Sequence, residues 1–171
     1  KERVPDQGTI RLGGSPVIGY YSQEHETLDP QKTPLEVVRR LKPWTEANAI
    51  GTLSSMLFIR DGSMNKIGRL SGGERARLQI AELMLGGANL LLLDEPTNNL
   101  DLASREVLEQ ALIDFDGTLV TISHDRYFLD NVCTRTVEVK DKLVTDYPGS
   151  YSEYLERTGR VTLLTRRPVP S

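Results

Sequence analysis

The sequence predicts an α/β domain with a mostly parallel sheet, and three observations carry that prediction. Leu90-Leu91-Leu92-Leu93 is an apolar run too short for a helix and bounded by Gly and Pro, the habit of a strand covered on both faces. Beyond it, Leu108, Ala111, Leu112 and Phe115 recur at the i, i+3, i+4, i+7 spacing of a helix with one buried stripe. Thr118 to Ser123 then forms a second β-rich run, so the chain reads strand-helix-strand. Such a unit sets the carboxyl ends of two parallel strands side by side, and an open α/β sheet binds its ligands at that edge.

Composition narrows the function classes. With 171 residues and 38% hydrophobic residues the chain has enough apolar material for one sizeable core. Its 21 Lys+Arg against 24 Asp+Glu give a net charge of −3, with both signs interspersed, so charge alone does not argue for nucleic-acid binding. The lone Cys133 cannot pair within the chain and reads as a buried thiol in a reducing compartment. No apolar stretch approaches the roughly 20 residues of a membrane span, so a cytoplasmic protein with no membrane contact is expected. The chain opens on Lys1 and its strand pattern begins at once, which suggests a start part-way into a domain.

Taken in order, Thr9 to Leu12 and Val17 to Tyr21 are β-rich and separated by Gly13-Gly14-Ser15-Pro16, which predicts a hairpin delivering Gln23 into a loop. Thr33-Pro34-Leu35-Glu36 supplies an N-cap, Pro at the first helical position and Glu at the third, starting a helix that runs to about Leu41. Ile50, Leu53 and Leu57 share a face, predicting a second helix from Thr45 to about Phe58, before Asp61-Gly62-Ser63 opens a loop. Ser71-Gly72-Gly73-Glu74 is a capping box, and its helix carries Leu78, Ala81 and Leu85 until Gly86-Gly87 stops it. Asp101 caps the helix after the leucine strand. A short helix follows near Tyr127 to Val132, then a hairpin of Thr136 to Val139 with Leu143 to Asp146, then a helix over Ser150 to Glu156. The expected organisation is one domain over 1–157, with a helical subdomain at 33–85, and an irregular tail over 158–171.

Several residues could carry chemistry at a nucleotide. Asp94 and Glu95 end a hydrophobic strand, where one carboxylate can hold Mg²⁺ or its water shell and the next can orient an attacking water. The same pair also fits a plain solvated strand end. Ser71, Gly72 and Gly73 offer backbone N–H groups without a Cβ at a helix N-terminus, which suits a phosphate, although capping alone would also explain them. His124 and Gln23 each close a strand and could reach a γ-phosphate, a metal or its water. Two His and one Cys at scattered spacings form no zinc set, and His25 reads as an exposed loop residue.

In order along the chain, YYSQEH at 20–25, LSGGE at 70–74, LLLLDEP at 90–96, TNNLD at 97–101 and ISHDRYFLD at 122–130 resemble five motifs of one family. They look like the Q-loop, signature, Walker B, D-loop and H-switch of an ATP-binding cassette (ABC) domain, a P-loop NTPase-like fold with a helical subdomain and antiparallel β hairpins. TNNLD with ISHDR and YPGSYSEYLE at 147–156 resembles the ABC-F branch, in which two cassettes are paired without transmembrane parts and well-studied members act on ribosomes. The opening GYYSQEHETLDP at 19–30 resembles the C-terminal cassette of such a pair.

The resemblance implies ATP and Mg²⁺ as ligands, a second cassette in the same full-length chain as partner, and the ribosome or its RNA as a further one. It implies Glu95 as catalytic base, Asp94 and Gln23 at Mg²⁺, and His124 as sensor of the γ-phosphate. Ser71, Gly72 and Gly73, with Glu74 in the same motif, would serve the ATP held mainly by the opposite cassette, and Asp101 would couple the two sites. Asn99 stands where many relatives have His.

One part is missing. The phosphate cradle G-x-x-x-x-G-K-[ST] occurs nowhere in the sequence, and with it are missing a phosphate-binding Lys, a Mg²⁺-binding hydroxyl and a strand expected beside Leu90 to Leu93. The domain is therefore expected to be N-terminally incomplete and inactive by itself. Two rival functions keep the same motifs: an ATP-binding subunit of a membrane transporter, and a non-catalytic half-domain lending its signature to another cassette.

Overall fold

The computed structural model describes residues 8–22, 27–58 and 60–160. Its elements are β1 (Ile18–Ser22), α1 (Pro34–Leu41), α2 (Glu46–Ser55), α3 (Arg60–Met64), a 3-10 turn (Ile67–Arg69) and α4 (Gly72–Leu85). They continue with β2 (Leu90–Asp94), α5 (Leu102–Ile113), β3 (Thr118–Ile122), α6 (Arg126–Val132), β4 (Arg135–Lys140), β5 (Leu143–Pro148) and α7 (Tyr151–Arg157). Among the described residues β1, β2 and β3 form a parallel sheet in that order, and β4 and β5 form a separate antiparallel pair. The register sets Tyr20 beside Leu92 and Leu92 beside Val120.

The caps read from the sequence start the helices they should. Thr33 and Glu36 close a reciprocal capping box on α1, Ser71 and Glu74 close another on α4, and Asp101 accepts from the Ser104 N–H at the head of α5. Helix α4 is the axle of the domain because it is apolar on more than one side. Leu78 and Ala81 pack into a helical core with Val38, Leu53 and Phe58, whereas Ala76 and Ile80 face the sheet core of Leu91, Leu93, Leu108 and Phe128. Close approach to the sheet is enforced at Gly19, where a Cβ would lie 2.8 Å from Leu91 Cδ2 and 3.0 Å from Ala88 Cβ.

Four local expectations need correction. Thr9 to Leu12 is not a strand, so the first hairpin does not form. Instead Asn89 captures the approach to β1: its Oδ1 accepts from Val17 N at 2.8 Å, its Nδ2 donates to Ser15 O at 3.2 Å, and its N–H donates to Val17 O at 2.9 Å. These bonds align β1 with β2 in parallel. Helix α2 ends at Ser55 because Leu57 takes φ +59°, and Leu57 is exposed rather than on the buried stripe. Asp61-Gly62-Ser63 lies within α3, not in a loop.

The fourth correction concerns the leucine strand. Both edges of β2 are paired, by β1 and β3, which leaves no place for a further strand beside Leu90 to Leu93. Nor is it covered on both faces among the described residues: Leu91 and Leu93 are buried, but Leu90 and Leu92 are half-buried on a face shared with exposed Ile18, Tyr20, Val120 and Ile122. Gln23, His25 and residues 161–171 lie outside the described residues. No described helix is long and apolar enough to cross a membrane.

Candidate functional site

The carboxyl ends of β2 and β3 meet where the sequence places Asp94, Glu95 and His124. Asp94 is the last residue of β2 and is half-buried. Glu95 then leaves the strand at φ +49°, a left-handed conformation that costs a non-glycine residue about 1–3 kcal/mol and that gathers at functional sites. Its N–H is tied to Ile122 O at 2.9 Å, so the turn is anchored across the sheet to β3. The consequence is a carboxylate carried sideways over the strand ends toward His124.

There the two meet. Glu95 Oε2 accepts from the His124 backbone N–H at 3.3 Å, and Glu95 Oε1 lies 3.5 Å from His124 Nε2. Oε1 is buried yet makes no hydrogen bond, while the Glu95 side chain as a whole is 18% exposed and the imidazole 97%. One oxygen is thus fixed by the protein and the other is an acceptor without a donor, an arrangement suited to receiving a proton from a bound water. The exposed imidazole beside it is open to an anionic group. Among the described residues no three His, Cys, Asp or Glu side chains gather into a metal-holding cluster. A Mg²⁺ here would be held largely by phosphate oxygens and water, the usual habit of that ion, and Asp94 at the end of β2 is a carboxylate that could join them.

Ser71, Gly72, Gly73 and Glu74 form a second locus. The capping box uses the N–H groups of Ser71 and Glu74, at 2.8 and 3.2 Å, and leaves those of Gly72 and Gly73 at the open end of the 14-residue helix α4. The two glycines have different reasons. A Cβ at Gly72 would meet nothing within 4 Å, so that backbone stands open to an approaching ligand, whereas a Cβ at Gly73 would lie 3.2 Å from Leu100 Cδ2 and press on the TNNLD loop. Facing them across a cleft of about 490 Å³ are Asp101 and Ser104. Hydrogen bonds from Ser104 hold the Asp101 carboxyl below the ordinary carboxylate range. Asn99 in that loop takes φ +60°, a left-handed conformation that Asn tolerates better than most side chains.

Three residues that motif reading did not single out support these loci. Arg77, 5% exposed, donates from Nε to Met56 O at 3.0 Å and from Nη1 to the Ser104 hydroxyl, joining α4 to α5. Arg105 pairs with Asp125 at 2.8 Å, next to His124. Thr97, also buried, reaches Ser123 Oγ at 3.4 Å and links the turn after Glu95 to the turn before His124. None lies on a periodic stripe; Arg77 and Thr97 are marked by the burial of a polar side chain and Arg105 by its pairing with Asp125.

Comparison with known proteins supplies the family. The family model described as "ABC transporter" matches residues 2–98, more than half of the chain. The chain belongs to that family. YdiF of Bacillus subtilis (strain 168) is 47% identical over 154 residues, covering 90% of this chain and 24% of its own length. ABC transporter F family member 5 of Arabidopsis thaliana is 40% identical over 156 residues, covering 90% and 22%. The energy-dependent translational throttle protein EttA of Haemophilus influenzae is 37% identical over 164 residues, covering 91% and 29%. The cassette thus resembles the ABC-F branch and spans about a quarter of the length of these relatives. The archaeal ribosome recycling factor aABCE1, solved with the ribosomal stalk protein aP1, superimposes with a TM-score of 0.71 at 24% identity over 92% of this chain and 32% of that one, and shares the fold.

Proposed function

We propose that this chain is one cassette, the C-terminal one, of an ABC-F-type ATPase that pairs two cassettes and works at the ribosome. The observation that carries the reading is the Glu95 carboxylate, pinned by one oxygen to the His124 N–H and left with its other oxygen buried and without a hydrogen bond. Glu95 takes a proton from the attacking water as its oxygen bonds to the γ-phosphorus and the bond to the β,γ-bridging oxygen breaks, giving ADP and phosphate. His124 would donate to a γ-phosphate oxygen, and Asp94, with Gln23, would order the water shell of a bound Mg²⁺. When bound, Mg²⁺ offsets the charge of the β- and γ-phosphates.

The signature locus works on a different nucleotide. Ser71, Gly72 and Gly73 line a cleft apart from Asp94 and Glu95, as a donor surface for ATP gripped by a facing cassette requires. Asp101, across the same cleft, couples the two sites. A role in translation rests on similarity to EttA, whose name states one, and on the ABC-F pattern of the motifs.

Glu95→Gln in the full-length protein tests the catalytic reading. Positioned bases contribute about 10²–10⁴-fold, so ATPase should fall at least about 100-fold while ATP binding persists. A variant that hydrolyses ATP within about threefold of the parent overturns the assignment. Ribosome co-sedimentation of the full-length protein in ATP supports the translational role, and membrane co-purification favours the transporter reading instead.

A second reading is favoured by the cleft of Ser71, Gly72 and Gly73 standing apart from Asp94 and Glu95: the chain lends its signature to another cassette without catalysing hydrolysis. Adding it to an intact cassette discriminates. Stimulation that survives Glu95→Gln but not Ser71→Arg supports signature donation alone.

A further inference from the structure

We infer that Arg105 is a positioning residue that fastens helix α5, led by the TNNLD loop, to the turn carrying His124, and so fixes where the imidazole stands relative to Glu95. The inference rests on the catalytic reading above and extends it to a residue outside the family's motifs. The His124 side chain is 97% exposed and lies 3.5 Å from Glu95 Oε1, so its position is set largely by its own backbone. That backbone is held through the next residue. Asp125 Oδ2 accepts from Arg105 Nη1 at 2.8 Å, while Oδ1 caps α6 by accepting from the N–H groups of Tyr127 and Phe128 at 3.1 and 3.2 Å. The Asp125 N–H donates to Ser123 Oγ at 3.1 Å. Residues 123–128 therefore move as one unit, and the handle on that unit is Asp125.

The other end of the strut is the loop across the signature cleft. Arg105 lies one turn into α5, its N–H bonded to Asp101 O at 3.0 Å, and Asp101 is the residue that caps the helix. A shift of the TNNLD loop moves Asp101, then Arg105, then Asp125 and with it His124. The arginine is not placed for folding alone. Its Nε is buried without a hydrogen-bond partner, so this position forgoes one donor while aiming Nη1 at Asp125. The Asp125 side chain is 15% exposed and that of Arg105 41%, which shields the pair only in part. Loss of the pair should therefore affect global stability little.

The test uses Arg105→Gln, Arg105→Lys and Asp125→Asn in the full-length protein, with Glu95→Gln run alongside to define the activity that belongs to this site. Asn at 125 keeps the helix cap but removes the charge. Expected for Arg105→Gln is a fall of about tenfold in the Glu95-dependent kcat, with KM for ATP within about twofold and Tm within about 3 °C. Arg105→Lys should recover kcat to within about threefold of the parent, and Arg105→Gln/Asp125→Asn should be no worse than either single variant, because both remove one interaction. A kcat within about twofold of the parent for Arg105→Gln, additive losses in the double variant, or a loss that tracks Tm would each overturn the inference. If Glu95→Gln itself leaves ATPase intact, the catalytic reading fails and takes this inference with it. If Glu95→Gln lowers ATPase as expected while Arg105→Gln keeps kcat within about twofold of the parent, the Arg105 strut alone is wrong.

Discussion

Replacing Arg77 by Met tests the junction on which both loci stand. Arg77 is 5% exposed, bonds Met56 O through Nε at 3.0 Å and the Ser104 hydroxyl through Nη1, and carries its guanidinium carbon 5.6 Å from the Phe58 ring centre. Burial pulls its pKa down, and the neighbouring Glu74 and Asp101 carboxylates partly restore it. Methionine fills much of the same space, so the losses are polar. Hydrogen bonds from a charged donor contribute about 1.5–3 kcal/mol each, and their removal strands a carbonyl and a hydroxyl. Against this, the buried guanidinium no longer has to be desolvated, which returns part of the loss. The net expectation is a destabilisation of about 2–4 kcal/mol, a large share of the roughly 5–15 kcal/mol that holds an ordinary domain together. A urea titration followed by fluorescence measures it, because Trp44 is the only tryptophan and packs against the helical core that contains Phe58. Ser104→Ala removes the stranded hydroxyl, so Arg77→Met/Ser104→Ala should lose about 1 kcal/mol less than the sum of the singles. A change below about 0.5 kcal/mol for Arg77→Met, or strict additivity, would refute the argument.

Three further outcomes follow. The isolated chain, which has no G-x-x-x-x-G-K-[ST] motif, should show no Glu95-dependent ATP hydrolysis above background in a coupled phosphate assay. The apolar sheet face, exposed among the described residues, should make the chain self-associate, and Val120→Lys/Ile122→Lys should reduce concentration-dependent light scattering; unchanged scattering would show that this face is not responsible. Stability should decline in acid. Glu36, Asp101, Glu138 and Asp146 all have pKa values lowered in the folded state, chiefly through hydrogen bonds from Thr33, Ser104, Arg160 and Arg135 respectively. The folded state thus binds fewer protons than the unfolded one, and the contribution is fully present above the unfolded carboxylate pKa of about 4 and lost as pH falls through the lower folded values. Thermal melts from pH 7 to pH 3 should show that loss, and a Tm flat across this range would contradict it.

The parts of the fold legible in the sequence were those written locally. Thr33, Ser71 and Asp101 announce helix starts because a cap and its target lie within three residues, and the motif residues at the ends of β2 and β3 are marked by the strands before them. Long-range choices were not legible. The turn residues at 13–16 favour a hairpin, yet Asn89, 72 residues from Val17, captures the approach to β1 and commits that strand to parallel pairing. Arg77 and Arg105 escaped notice for the same reason, since their partners Met56, Ser104 and Asp125 lie 20 or more residues away. Leu57 fitted the helical stripe by spacing, but a backbone turned to φ +59° overrides periodicity.

The pleat of β2 ties the bare face to the chemistry. Leu91 and Leu93 point into the core, so Leu90, Leu92 and Asp94, in the alternate positions, belong to the other face. That face carries Tyr20 beside Leu92 and Val120 beyond it, and Asp94 stands at its carboxyl end next to Ile122. Any polypeptide that covers Leu92, Val120 and Ile122 therefore lies against the carboxylate proposed for Mg²⁺, and a stretch gripping phosphates near Asp94 has this apolar surface directly behind it. Burial of the face and capture of nucleotide become one event rather than two. Val120→Lys/Ile122→Lys should then act in opposite directions: it should keep the isolated chain dispersed, yet lower ATP affinity in the full-length protein by preventing that cover from seating. If the double variant instead binds ATP like the parent in a fluorescence titration, the face and the site are independent and the coupling argued from the strand's alternation is wrong.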